Sequence, residues 1–256
     1  PLKLKEGGYS TISLHGNNAS FWNRDTMNKT LGYDRFYAKR DFAIDEVIGM
    51  GLSDMSFFRQ TAAVLEQTPE PFYATAIMLT NHTPFAEVDK YGPFDSGEYE
   101  GTRFGNYLKS LHYADKAIGY LFDELERSGM LENTAIVVYG DHPAALSKTA
   151  TASFLGLDRM DKYDFRRLST VPFMVSSKRI ADPRVISTPM GMIDVFPTLG
   201  GLLGIEHEFA LGNDLLRVDD NRVIFPDGSW IDENVVFLAA NGKFKVWNER
   251  LVDRFY

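Results

Sequence analysis

The sequence predicts an α/β protein with a mostly parallel sheet and helices on both faces, followed by a small C-terminal α+β subdomain with antiparallel strands. Three observations predict this fold. Apolar runs of strand length alternate with segments of helical periodicity up to about residue 205. Three of these runs end in polar side chains. Beyond residue 205, short runs flank an Asn241-Gly242 turn, which is typical of hairpins. We therefore predict a domain over residues 1–205 and a subdomain over residues 206–256.

The first two strands are predicted by short apolar patterns. "YSTISLHGN" alternates apolar and polar side chains and then reaches Gly16 and Asn17, which indicates a strand followed by a turn. The run Phe72 to Thr80 is typical of a buried strand, and it stops at Asn81-His82 before a proline.

A long helix follows over residues 106–128. Gly129 lies where a C-terminal glycine belongs. The apolar residues recur at helical spacing: Leu108, Leu111, Ala114, Ile118, Leu121, Phe122 and Leu125. "TAIVVYGDH" and "VPFMVSS" predict two further strands. "IDVFPTLGGLLGI" predicts a helix whose N-terminus Asp194 caps.

Composition limits the class of protein. The net charge of −8 argues against a nucleic-acid partner, since phosphate neutralisation needs an excess of lysine and arginine. The chain contains no cysteine, which excludes disulfides, zinc-thiolate sites and a cysteine nucleophile. No stretch approaches the roughly 20 apolar residues that span a bilayer.

Ligands of open α/β sheets bind beyond the carboxyl ends of the strands. His15 follows the first predicted strand, His82 the second, and Asp141 and His142 a third. Asp141 and His142 offer one oxygen and one nitrogen ligand, a mixture that suits Mn²⁺, Zn²⁺ or Mg²⁺. The simpler alternative is a loop in which Asp141 caps the next helix and His142 is exposed.

Other polar residues could serve a phosphate-binding pocket. Arg24 can bind a phosphate through two parallel N–H groups, and Trp22 can form one wall. His82 and His15 can hydrogen-bond a phosphoryl oxygen or transfer a proton. The alternatives are a surface ion pair for Arg24, packing for Trp22 and satisfied loop histidines.

These residues occur in segments that resemble a known family. The segments are "SLHGNNASFWNRDTMNKTLGYDRFY", "LTNHTPF", "LHYADKAIGYLFDELERSGMLENTAIVVYGDH" and "MIDVFPTLGGLLGI". They resemble the extracellular domain of lipoteichoic acid synthases, in the sulfatase-like branch of the alkaline phosphatase superfamily. The resemblance implies a sulfatase-like α/β/α sandwich, and it covers about Ser10 to Ile205.

The resemblance also implies roles for individual residues. Asp141 and His142 match the family's Asp-His pair, which holds one divalent metal, commonly Mn²⁺, with Mg²⁺ or Zn²⁺ as alternatives. His15, Trp22, Arg24 and His82 match its substrate pocket, with Arg24 and His82 in catalytic roles. The family's acidic ligand and nucleophilic threonine have no counterpart in this chain. We therefore expect them upstream in a longer protein, and we expect this chain alone to be inactive.

The implied activity is metal-dependent transfer of glycerophosphate. The donor would be a phosphatidylglycerol-like lipid, and the acceptor a polyglycerolphosphate chain or a glycolipid. The implied location is the outer face of a bacterial cell membrane, reached through segments outside this chain. Two alternatives remain: a sulfatase or phosphodiester hydrolase on the same fold, and a non-catalytic glycerophosphate-binding protein.

Overall fold

The computed structural model describes residues 1–205 and 209–246. The α-helices of these residues are α1 (Leu2–Glu6), α2 (Arg24–Thr30), α3 (Asp54–Glu66), α4 (Arg103–Arg127), α5 (Lys148–Phe154), α6 (Lys162–Leu168) and α7 (Met192–Leu203). The strands are β1 (Ser10–His15), β2 (Arg35–Tyr37), β3 (Val47–Ile48), β4 (Gly51–Leu52), β5 (Phe72–Ile77), β6 (Ile136–Tyr139), β7 (Phe173–Ser176), β8 (Val223–Ile224), β9 (Trp230–Ile231), β10 (Val235–Leu238) and β11 (Lys243–Val246).

The chain forms two compact units. The first contains Pro1–Ile136 and Val175–Arg179, and the second contains Val137–Met174 and the described residues from Ile180 onward. The domain boundary that we predict near residue 205 lies within the second unit, and residues 206–208 are outside the described part of the chain.

A three-stranded parallel sheet organises the first unit, in the order β2-β1-β5. Leu14 of the central strand is fully buried, as expected where both faces of a parallel sheet are covered. Phe57 of α3 and Ala117 of α4 belong to the same apolar cluster as Leu14. The predicted parallel sheet with packed helices is therefore confirmed.

Two predicted elements of the first unit can be compared with the structure. The predicted strand from Phe72 ends at Ile77 rather than Thr80, because the backbone N–H groups of Leu79 and Thr80 donate to the Asp54 carboxylate. The long helix begins at Arg103 rather than residue 106, because the Thr102 side chain caps it, and it ends at Arg127. Gly129 adopts a left-handed φ of 75° just beyond its C-cap. That conformation suits a glycine after a helix C-terminus.

The second unit contains a four-stranded antiparallel sheet in the order β11-β10-β9-β8. This confirms the predicted antiparallel strands. Strands β6 and β7 pair with one another. None of the helices in residues 1–205 and 209–246 has the length and apolar character needed to cross a bilayer.

Asp194 does not occupy the predicted N-cap position of α7. Gly191 is the N-cap, and the Asp194 carboxylate accepts a hydrogen bond from the Gly191 N–H at 2.8 Å. The same carboxylate accepts bonds from the Asn213 N–H at 2.8 Å and the Asn221 side-chain amide at 2.9 Å. Asp194 is buried and joins the start of α7 to the following loop.

Candidate active site

His15 is the last residue of β1, and it lies opposite Ile77, the last residue of the parallel neighbour β5. The segment that carries His82 therefore leaves the same edge of the sheet. His15 is fully buried, and its ring lies 6.0 Å from the ring of Phe21 in a stacked arrangement. The backbone just after His15 is also tightly held, because a Cβ on Gly51 would lie 2.6 Å from the Gly16 carbonyl oxygen.

The surroundings of His15 favour the neutral imidazole. Burial, and then the positive charge of Arg24, lower the pKa of His15 to about 4. Both ring nitrogens are buried and lack a hydrogen-bond partner within the described part of the chain. Buried polar atoms in this state are uncommon in native proteins, and a catalytic role or a bound water or ion accounts for many of them.

Trp22 and Asn23 form a strained turn that leads into α2. Their φ angles are 55° and 54°, in the left-handed region, which costs a bulky residue such as Trp22 about 1–2 kcal/mol and which asparagine adopts more readily. Trp22 is 75% exposed, and its ring meets Phe21 edge-on at 6.0 Å. Arg24 begins α2 beside His15. The turn therefore holds one exposed aromatic ring and one cation near the edge of the sheet.

His82 is oriented by its own loop. Its Nδ1–H donates to the Thr83 carbonyl oxygen at 2.8 Å, so the neutral ring carries its lone pair on Nε2. Arg103 donates to the Thr83 hydroxyl at 2.8 Å. These contacts fix which ring nitrogen of His82 can accept a proton.

Asp54 shapes this loop, and sequence reasoning missed it. Asp54 is fully buried at the start of α3, and one carboxylate oxygen accepts from the Leu79 and Thr80 N–H groups at 2.8 and 3.1 Å. The Asp54 N–H in turn donates to the Thr80 hydroxyl at 2.9 Å. Burial raises the pKa of Asp54. From sequence, Ser53-Asp54 indicates only an ordinary helix start, and Ser53 is indeed the N-cap.

Asp141 and His142 follow β6 in the second unit, and both side chains are largely exposed. The Asp141 Oδ1 and His142 Nε2 atoms are 3.6 Å apart. His142 Nδ1–H donates to the Pro143 carbonyl oxygen at 3.1 Å, which puts the lone pair of the neutral ring on Nε2. This separation suits two atoms that share a cation, and it equally suits an ion pair when the ring is protonated. The alternative in which Asp141 caps a helix does not apply, because Ser147 caps α5.

This donor pair fits a divalent metal in its chemistry and supplies part of a coordination shell. One carboxylate oxygen and one imidazole nitrogen suit Mn²⁺ or Zn²⁺. Within residues 1–205 and 209–246, no group of three or more acidic or histidine side chains is arranged to hold a metal ion. A complete site would need ligands in addition to Asp141 and His142.

The structure thus brings together two sets of predicted residues. His15, Trp22 and Arg24 form one set at the end of β1, with His82 on the loop that leaves the same edge. Asp141 and His142 form the other set. The first set belongs to the first compact unit and the second set to the second unit.

The fold and these residues define a class: α/β proteins that place polar ligand-binding groups beyond the carboxyl ends of parallel strands. The chain belongs to the sulfatase family, whose model matches residues 1–205.

Among curated proteins, the chain is 36% identical to lipoteichoic acid synthase-like YvgJ of Bacillus subtilis, over 91% of this chain and 39% of that protein. It is 33% identical to lipoteichoic acid synthase 2 of the same organism, over 95% of this chain and 38% of that protein. The chain therefore spans about two-fifths of the length of these relatives.

Solved structures agree with this family. The lipoteichoic acid synthase LtaP from Listeria monocytogenes matches with a TM-score of 0.80 and 26% identity, over 100% of this chain and 68% of that one. An alkaline phosphatase superfamily protein from Vibrio parahaemolyticus matches with a TM-score of 0.72 and 21% identity, over 98% of this chain and 64% of that one. The predicted alkaline-phosphatase-like fold and the resemblance to lipoteichoic acid synthases are confirmed.

Proposed function

We propose that the protein is a metal-dependent phosphoglycerol transferase of the bacterial cell membrane, with its catalytic domain facing outward. It would move glycerophosphate from a phosphatidylglycerol-like lipid to a polyglycerolphosphate chain or a glycolipid. The observation that carries the proposal is the buried, neutral His15 beside the cationic Arg24 at the carboxyl edge of the sheet. Similarity to lipoteichoic acid synthases supports this substrate class.

Arg24, His15 and Trp22 would bind the glycerophosphate group. The Arg24 guanidinium matches two phosphoryl oxygens and stabilises the charge that develops on them. His15 stays neutral near pH 7, so it would donate a hydrogen bond rather than add charge. The exposed ring of Trp22 would cover the glycerol carbons.

His82 would transfer the proton between the attacking hydroxyl and the leaving oxygen. Its Nδ1–H is engaged by the Thr83 carbonyl oxygen, so Nε2 is the atom that can accept a proton from an attacking hydroxyl. The protonated ring can later return that proton to a leaving alkoxide oxygen. His15 is less suited to this role, because burial and Arg24 hold its pKa near 4.

Asp141 and His142 would hold the divalent metal, with Mn²⁺ as the first candidate. When bound, such a metal lowers the pKa of a coordinated hydroxyl and offsets charge on phosphoryl oxygens. The nucleophilic hydroxyl would come from the threonine that the resemblance implies upstream. Asp141 and His142 would contribute one charged and one neutral ligand.

The experiment uses the full-length protein, Mn²⁺ and vesicles of phosphatidylglycerol labelled in the headgroup glycerol. We expect the label to move to a polyglycerolphosphate or glycolipid acceptor, with diacylglycerol released. Release of the label only as free glycerophosphate would favour the hydrolase. Binding without any turnover would favour the non-catalytic alternative. Cleavage of sulfate esters in place of phosphodiesters would overturn the proposed substrate class.

A further inference from the structure

A pocket in the second unit has a charge opposite to that of the chain as a whole. Its volume is about 390 Å³, at the lower end of the range for small-molecule sites. Three cations line it, Lys148, Lys162 and Arg166, against one carboxylate, that of Asp227. The chain as a whole carries −8. This local excess of positive charge needs an explanation other than composition.

No carboxylate of the described residues neutralises the two lysines that line the pocket, Lys148 and Lys162. Neither Lys148 nor Lys162 forms an ion pair within residues 1–205 and 209–246. The Lys148 ammonium lies 5.3 Å from the centre of the Phe165 ring, and the Lys162 ammonium lies 5.5 Å from that of Tyr163. Aromatic rings attract these cations without neutralising them, so both can still bind an anion.

Arg166 is the third cation, and its position is fixed. It donates to the Asp227 carboxylate at 2.8 Å, and its guanidinium lies 4.4 Å from the centre of the Phe225 ring. Hydrogen bonds from Ser229, together with Arg166, lower the pKa of Asp227. Asp227 therefore stays ionised near neutral pH and reduces the local positive charge.

The remaining wall of the pocket is apolar. Phe165, Leu238 and Ala240 line it beside the cations. A ligand that fits must therefore combine anionic groups with short carbon segments. A chain of glycerol units joined by phosphodiesters has this alternation.

We propose that this pocket, whose lining includes none of the residues assigned to the donor, binds the phosphodiester groups of a glycerophosphate chain. The choice of ligand rests on the proposed function, whereas the anion selectivity rests on the pocket alone. A polyglycerolphosphate chain and a phosphatidylglycerol headgroup share this chemistry, and the experiment separates them. Binding here would raise the local concentration of the acceptor chain.

The test measures the affinity of the full-length protein for a soluble glycerophosphate oligomer. Replacing both lysines (Lys148→Gln with Lys162→Gln) should raise the Kd at least about tenfold and flatten its dependence on salt. The matched control (Lys116→Gln with Lys243→Gln) makes the same change in net charge outside the pocket. It should change the Kd less than about twofold. Equal Kd values for the two double variants would overturn the proposal.

A second variant should change the Kd for the oligomer in the opposite direction. Asp227→Asn keeps an oxygen for the Ser229 N–H and removes the only carboxylate among the residues that line the pocket. It should therefore tighten oligomer binding about twofold or more. Weaker binding with an unchanged circular dichroism spectrum would contradict a site for anions.

Two further measurements identify the ligand and separate a failure of the pocket proposal from a failure of the proposed function. Binding to phosphatidylglycerol vesicles but not to the oligomer, lost in the double lysine variant, would assign the pocket to a lipid headgroup. Turnover of a small glycerophosphate diester tests the proposed function and should be the same in all of these variants. Absence of that turnover in the wild type would count against the proposed function. The measured affinities would still show whether the pocket binds the oligomer.

Discussion

Two histidines that follow strands lie in opposite environments. His15, at the end of β1, is fully buried, and its neighbours hold its pKa near 4. His142, just after β6, has a side chain that is 60% exposed, and it faces a carboxylate that is also exposed. From sequence alone the two histidines look alike, because each follows an apolar run of strand length.

This difference separates two kinds of candidate functional residue. His15 is buried in the first unit, so its substitution should affect folding as well as any ligand binding. Asp141 and His142 contribute little to packing, so their substitution should affect ligand binding and leave stability almost unchanged.

The largest effect is expected at the exposed pair. In the full-length protein, Asp141→Ala or His142→Ala should lower turnover more than about a hundredfold and remove the bound metal. Stability without metal should change by less than about 0.5 kcal/mol, because both side chains are exposed. Elemental analysis and urea unfolding in the presence of a chelator measure the two quantities. Full metal occupancy in either variant would exclude a ligand role.

Arg24 tests whether phosphate is bound by two parallel N–H groups. Arg24→Lys keeps the charge but loses the planar pair of donors. We expect kcat/KM to fall, and the fall should correspond to a loss of roughly 2–4 kcal/mol of transition-state stabilisation. Arg40→Lys, at a largely exposed arginine near Asp41, is the matched control and should keep normal kinetics. A near-normal kcat/KM for Arg24→Lys would leave Arg24 with a structural role.

The part of the fold that could be predicted follows from local pattern. The strands themselves, the long helix and the antiparallel C-terminal strands carry their signal in neighbouring residues, and the structure contains them. The end of β5 was predicted three residues too late. Asp54 shows what local pattern cannot supply. Its carboxylate bonds to backbone groups 25 and 26 residues away, and nothing near it in sequence indicates those partners.

The candidate site divides in the same way. His15 and Asp141 could be chosen from residue type and position after a strand, and Arg24 from the phosphate-binding chemistry of its guanidinium. The neutral state of His15 could not, because it depends on burial that only the folded core creates. The left-handed turn at Trp22 and Asn23 was also missed, since neither residue is a glycine.

The buried histidine should make stability depend on pH. Because folding lowers the pKa of His15 from 6.5 to about 4, the unfolded chain binds the extra proton between these values. This contribution is fully present above pH 6.5 and is lost as the pH falls toward 4. The free energy of unfolding should fall by about 2 kcal/mol between pH 7 and pH 5 on account of this group.

Urea unfolding of His15→Asn across this pH range isolates the contribution of His15. The variant should lose most of the slope that the wild type shows between pH 7 and pH 5. His142→Asn removes an exposed imidazole and should keep that slope. An identical pH dependence in wild type and His15→Asn would mean that His15 is hydrated in solution.

Trp22 should combine a small effect on stability with a moderate effect on activity, the smallest loss of activity predicted here. Relief of the left-handed strain gains about 1–2 kcal/mol in Trp22→Gly. The flexibility of glycine in the unfolded chain costs about 0.5–1 kcal/mol, and the lost ring contact with Phe21 costs about 0.5–1.5 kcal/mol. These terms nearly cancel, so the free energy of unfolding should stay within about 0.5 kcal/mol of the wild type.

Activity of Trp22→Gly should nevertheless fall at least about tenfold, since the exposed ring is lost from the substrate side. Asn23→Gly makes the same backbone change beside an intact ring, so normal activity there, together with the loss at Trp22, would assign the effect to the indole. A loss of stability above about 2 kcal/mol in Trp22→Gly would show instead that the ring packs in the core.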